Sequence, residues 1–73
     1  MARKVYRVVP NAGNWDVTHE GRVLSHHYLK SAAVEAGIKV AKANQPSQLV
    51  VHKSDGTFEY EHTYGNDPYP PSG

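Results

Sequence analysis

Two hydrophobic periodicities divide the chain. Val5-Tyr6-Arg7-Val8-Val9 is β-branched and aromatic, ends at Pro10 and runs into Asn11-Ala12-Gly13-Asn14, residues that tolerate turn geometry, so a strand and a turn are predicted. Trp15-Asp16-Val17-Thr18-His19 then alternates large and polar side chains, and Glu20-Gly21 reads as a two-residue reversal into Arg22-Val23-Leu24-Ser25-His26. That register sets Val17 opposite Leu24 and Trp15 opposite His26. Trp15, Val17 and Leu24 are therefore expected to share the buried face, with Trp15 anchoring the core.

From Ser31 to Asn44 the period becomes helical. Ser31, Glu35, Lys39 and Lys42 form a polar stripe, and Leu29, Ala33, Ala36, Gly37 and Val40 lie opposite it. Asn44 is expected to end the helix in the left-handed conformation, and Pro46 blocks its continuation. The apolar stripe is built of small residues, so the helix is expected to approach the sheet closely while Trp15, Phe58 and Tyr60 supply the bulk. Gly37 costs about 1 kcal/mol of helix propensity, which contact with an aromatic ring would offset. Ile38 falls near the polar stripe. With Val34 and Ala41 it makes a small apolar ridge at i, i+4 and i+7, through which two copies are expected to form a weak homodimer.

Leu49-Val50-Val51-His52 and Thr57-Phe58-Glu59-Tyr60-Glu61-His62 flank Ser54-Asp55-Gly56, and Asp-Gly between alternating segments is a strong hairpin signal. A two-residue turn at Asp55-Gly56 pairs Val51 with Tyr60 and Leu49 with His62, and sets His52 beside Glu59. The predicted fold class is α+β, an antiparallel sheet of four or five strands in the order β-β-(β)-α-β-β with one helix packed on one face. One domain is expected over residues 1–63. Residues 64–73, with Pro68, Pro70 and Pro71, are expected to be a Pro/Tyr-rich tail, docked or disordered.

This element order resembles a small bacterial family catalogued as domain of unknown function 2188. The resemblance covers nearly the whole chain: Val9-Pro10 ahead of a Gly-containing loop, Trp15-Asp16-Val17, the Gly21-Arg22 reversal, the Ala-rich helix, Leu49-Val50-Val51-His52, Asp55-Gly56, and Thr63-Tyr64-Gly65-Asn66-Asp67-Pro68-Tyr69-Pro70. One departure is the helix entry, where Tyr28-Leu29-Lys30 replaces the capping residues expected there. The resemblance implies a fold and a bacterial or phage setting. It implies no catalytic residues.

Composition narrows the chemistry. A chain of 73 residues supports one core, and with no cysteine it has neither a disulfide framework nor a thiolate metal site. No apolar run approaches the roughly 18 residues of a membrane span, and Met1-Ala2-Arg3-Lys4 leads into a strand pattern, so a cytoplasmic protein is expected. The net charge of +1 hides an asymmetry, +4 over residues 1–42 and −3 over residues 43–73. Of the five histidines, His26, His27 and His62 would be the metal candidates if the last strand lay beside the third. Adjacent strand histidines point to opposite faces, however, and no metal or cofactor is expected. His52 beside Glu59 reads as a cross-strand pair. The serines stand in no Gly-x-Ser-x-Gly elbow, and the glycines build no phosphate cradle. The favoured reading is a non-catalytic small binding or accessory domain with a protein partner. The alternative is a nucleic-acid module in which Arg3, Lys4, Arg7 and Arg22 line the outer edge of the first hairpin near Lys30, with Tyr6 or Tyr28 stacking on bases.

Overall fold

The computed structural model describes residues 3–65. The chain runs β1 (Lys4–Asn11), β2 (Asn14–His19), β3 (Arg22–His27), α1 (Lys30–Ala43), β4 (Ser47–His52) and β5 (Phe58–Tyr64). The strands form one sheet in the order β3-β2-β1-β4-β5. The α+β class and the single helix agree with the sequence pattern, but the sheet is mixed rather than antiparallel. β1 and β4 pair in parallel, because the chain leaves β3, crosses the sheet as α1 and re-enters beside β1. β1 is thus the central strand. Tyr64, expected in the tail, completes β5, and residues 66–73 lie outside the described residues.

Both short reversals of the first three strands place their central residues at positive φ: Ala12 (52°) with Gly13 (86°), and Glu20 (53°) with Gly21 (79°). Two consecutive left-handed residues twist a hairpin in the sense its strands need. The predicted partners nevertheless slip. A bulge in β3 leaves Leu24 as the extra residue, so Val17 lies opposite Ser25 and Trp15 opposite His27. Leu24 is 44% exposed instead of sharing the buried face.

At the other hairpin two deviations cancel. The turn spans three residues, with the Lys53 amide donating to the Thr57 carbonyl and the Gly56 amide to the Lys53 carbonyl. A bulge at Glu59 then restores the register, and Val51 meets Tyr60 and Leu49 meets His62 as predicted. Between the two, His52 faces Phe58 and not Glu59. Asp55 closes this turn by accepting from the Thr57 amide (3.0 Å) and hydroxyl (2.7 Å), bonds that hold its carboxyl below the usual carboxylate range.

Helix α1 packs across β1, β2, β3 and β4. Its small residues do let it come close, but aliphatic side chains meet it. A Cβ added at Gly37 would lie 2.8 Å from Leu49 Cδ1 and 3.2 Å from Val8 Cγ2. The core is Tyr6, Val8, Val17, Ala33, Ala41, Leu49 and Val51, with Trp15 and Tyr60 half-buried at its margin and Phe58 exposed. Trp15 packs against this core without anchoring it. Ala41 is fully buried, and Val34 and Ile38 pack half-buried against the same cluster, so the expected outer ridge for a dimer turns inward.

The helix starts at Leu29 without a side-chain cap. At its end Asn44 has φ −127°, not the left-handed conformation expected, and its Nδ2 donates to the Val40 carbonyl at 2.8 Å. The Gln45-Pro46 peptide is cis. The buried Ser47 hydroxyl donates to the Ala41 carbonyl at 2.5 Å, so the last turn is satisfied from β4. Among the described residues no helix is long and apolar enough to cross a membrane.

Candidate docking face

Side chains alternate between the two sides of a strand, so the register assigns each residue to a face. Tyr6, Val8, Val17, Ser47, Leu49, Val51 and Tyr60 look toward the helix. The opposite face carries Val5, Arg7 and Val9 from β1, Asp16 and Thr18 from β2, Gln48, Val50 and His52 from β4, and Phe58, Glu61 and Thr63 from β5. No described element covers it. Parallel strand pairs normally lie in sheets clad on both sides, because their crossovers put helices there. Here a single crossover clads one side and leaves β1 and β4 open on the other. Val50, 5% exposed, sits at the centre between Arg7 and Glu61, and Phe58 at the rim is 55% exposed.

Arg7 is held rather than loose. Its Nη1 lies 3.3 Å from His52 Nε2, while His52 Nδ1 lies 3.0 Å from the Gly56 carbonyl. A carbonyl only accepts, so Nδ1 carries the proton and Nε2 accepts from the guanidinium. In that tautomer the imidazole orients the guanidinium. Among the described residues no carboxylate comes within ion-pair distance of Arg7 and no cationic group within that distance of Glu61.

Asp16 is the buried acid of this face, 4% exposed. His26 Nδ1 lies 2.5 Å from its Oδ1, and Asn11 Nδ2 donates to Oδ2 at 2.9 Å. The bond to His26 is the main reason its carboxyl is held below the usual range, burial acts in the opposite sense, and Asn11 reinforces His26. A depressed native pKa stabilises the fold above the unfolded carboxylate's pKa and ceases to do so as pH falls through the native value. Asp16→Asn is therefore expected to cost about 1 to 3 kcal/mol at neutral pH and to flatten the acid limb of the stability profile. Urea titrations of parent and variant from neutral to acidic pH check both; an unchanged acid limb would show that another carboxylate governs it.

The predicted basic residues divide, with Arg3, Lys4 and Arg22 at one end of the sheet and Arg7 and Lys30 apart from them. Arg3 Nη1 donates to the carbonyls of Ser47 (3.4 Å) and Tyr64 (3.3 Å), fastening the start of β1 to β4 and the end of β5. Lys4 and Arg22 stand exposed at one end of the sheet, on strands separated by β2. Lys30, at the start of the helix, pairs with Glu59 and lies 5.2 Å over the Trp15 ring. Arg7 alone of the five belongs to the open face. Tyr6, expected to stack bases, is buried beneath the helix against His19, whereas Tyr28 is 80% exposed. β3 and β5 form opposite edges, so His26 and His27 are separated from His62 by the width of the sheet.

A second surface feature is a cavity of about 400 Å³ at the β3–α1 junction, lined by His26, His27, Tyr28, Leu29 and Ala32. Beside it Ser25 Oγ lies 2.9 Å from His27 Nε2, the spacing of a nucleophile and its base. Asp16 engages His26 instead, and no described carboxylate orients His27. Sequence reading missed Asn11 and Asp16, of the β1–β2 hairpin, and Val50 and Glu61, of the β4–β5 hairpin, as members of one face because only the β1–β4 pairing joins the two hairpins.

Fold and face together define the class, a small mixed-sheet domain with one helix and one unclad sheet surface. Residues 6–64 match the family described as an uncharacterized protein conserved in bacteria (DUF2188), and the chain belongs to that family. It is similar to the uncharacterized protein YycD of Bacillus subtilis (strain 168), 36% identical over 64 residues that cover 84% of this chain and 97% of YycD. No solved structure matches the chain.

Proposed function

We propose that the domain is a non-catalytic binding module that docks a protein partner on the open face of its sheet. The observation that carries this reading is the parallel β1–β4 pair left unclad, with the half-buried Val5 and Val9 flanking Arg7 along β1 and Phe58 exposed in the same row as Val9. An apolar centre with a polar rim is the anatomy of a protein interface. The Ser25–His27 pair lacks a described third group to orient it, which favours binding over nucleophilic catalysis. The separation of Arg3, Lys4 and Arg22 at one end of the sheet from Lys30, paired with Glu59 at the other, favours a protein over a nucleic-acid strand, which needs a continuous basic track.

The test is a photo-reactive amino acid placed at Phe58, on the open face, and in parallel at Lys39, on the outer side of the helix. In bacterial cells, adducts to protein are expected from position 58 and not from position 39. Nuclease-sensitive adducts from position 58 would transfer the face to nucleic acid. Equal labelling from both positions, or none, would overturn the docking reading.

A further inference from the structure

Arg7, Val50 and Glu61 stand side by side on three adjacent strands, Arg7 in register with Val50 and Val50 with Glu61. The central apolar residue is thus flanked by opposite charges, each without an ion-pair partner among the described residues. A two-fold axis parallel to the strands and passing over Val50 exchanges the flanks. It brings Arg7 of one copy over Glu61 of the other, on either side of the buried Val50. The row on one side is Val5, Gln48 and Thr63; the row on the other continues through Val9, His52 and Phe58. The same axis lays Val9 over Phe58, which covers the exposed ring. The +4 and −3 imbalance of the sequence has its counterpart on this face, with Arg7 on one side of Val50 and Glu61 on the other.

We propose that the partner on the open face is a second copy of this chain, packed sheet to sheet across that axis and closed by two Arg7–Glu61 pairs. The proposal rests on the open face being the docking surface. Isologous two-fold contacts are the common form of homo-oligomers, and sheets packed face to face in alignment cross at about 30°. On this axis β1, β4 and β5 of the two copies overlap, and three strands at about 4.8 Å and six residues at about 3.3 Å give a footprint of roughly 14 by 20 Å. That is below the usual size of a specific interface, so the association is weak and concentration-dependent. His52, by accepting from Arg7 and donating to Gly56, holds the guanidinium ready for its partner.

Sedimentation of the full chain from about 10 μM to about 1 mM, a range matched to micromolar dissociation constants, should show mass rising from monomer to dimer. Arg7→Glu and Glu61→Arg each place like charges across the axis and should weaken association at least about tenfold. An equimolar mixture of the two variants restores both pairs and should associate within about threefold of the parent. Trp15 fluorescence and thermal melts report that each variant is folded. If Arg7→Glu does not fold, Arg7→Lys provides an amine, and carbodiimide should join position 7 to Glu61 of another chain, as read by peptide mapping of isotopically mixed protein. A monomer at every concentration, a mixture no tighter than either variant, or cross-links confined within one chain would each overturn the proposal. A monomer that still gives position-58 adducts to other proteins overturns the second copy and leaves the docking reading standing, whereas the absence of both removes the two together.

Discussion

Leu49→Ala is expected to remove a large part of the domain's stability. Leu49 is fully buried on β4, in register with Tyr6 of β1 and His62 of β5, and its methyl groups lie directly beneath Gly37 of the helix. Truncation leaves a cavity under a helix whose backbone already sits close to the sheet, and such changes cost about 2 to 5 kcal/mol. At about 0.05 to 0.15 kcal/mol per residue, a chain of this length holds roughly 4 to 11 kcal/mol in all. The urea midpoint should fall by about a third or more, with the slope unchanged. Leu24→Ala is the control, because the bulge puts Leu24 at the surface and its loss should stay within about 0.5 kcal/mol. If the two variants were equally damaging, the β2–β3 register would have to be the one the sequence suggests.

Gly37→Val should be nearly as damaging, for the opposite reason. A Cβ at this position meets Leu49 Cδ1 at 2.8 Å, Val8 Cγ2 at 3.2 Å and Leu49 Cδ2 at 3.3 Å. Both neighbours are fully buried, so neither can swing into solvent. Replacing glycine regains about 1 kcal/mol of helix propensity at best, while overpacking a filled core costs about 1 to 3 kcal/mol and more when a branched side chain is added. The net expectation is a loss of about 2 kcal/mol or more, read from denaturant titration. The mechanism is checked by a double-mutant cycle. In a Leu49→Ala background, Gly37→Ala should cost less than in the parent, because the clash and the cavity occupy the same space. Strict additivity would mean that the helix does not touch the sheet at Gly37.

These two residues mark where sequence and structure part. The change of hydrophobic period located every strand and the helix to within a few residues, because alternation and the 3.6-residue repeat are local consequences of one-sided burial. Glu20-Gly21 was legible as a reversal because few other residue pairs reverse a chain in so short a span. The small residues of the helix announced a close approach, and Gly37 makes one, but which side chains fill the gap depends on strand order. The pattern placed Trp15 and Phe58 there; the fold uses Leu49 and Val8.

The chain's own pattern determined the elements, their order, the tight turns, the overall class and the family. Tertiary structure alone decided that β4 inserts beside β1, that bulges at Leu24 and Glu59 reset which residues oppose each other, and that Asn11 and His26 converge on Asp16. It also decided the candidate docking face, since Val50 and Glu61 are neighbours through the predicted hairpin but Arg7 joins them only through the parallel pairing. The physical reason is the range of the forces involved. Dihedral preference and amphipathic period act over a few residues and leave their mark in each segment, whereas strand order is settled by which long-range arrangement buries Val8, Val17, Leu49 and Val51 under one helix.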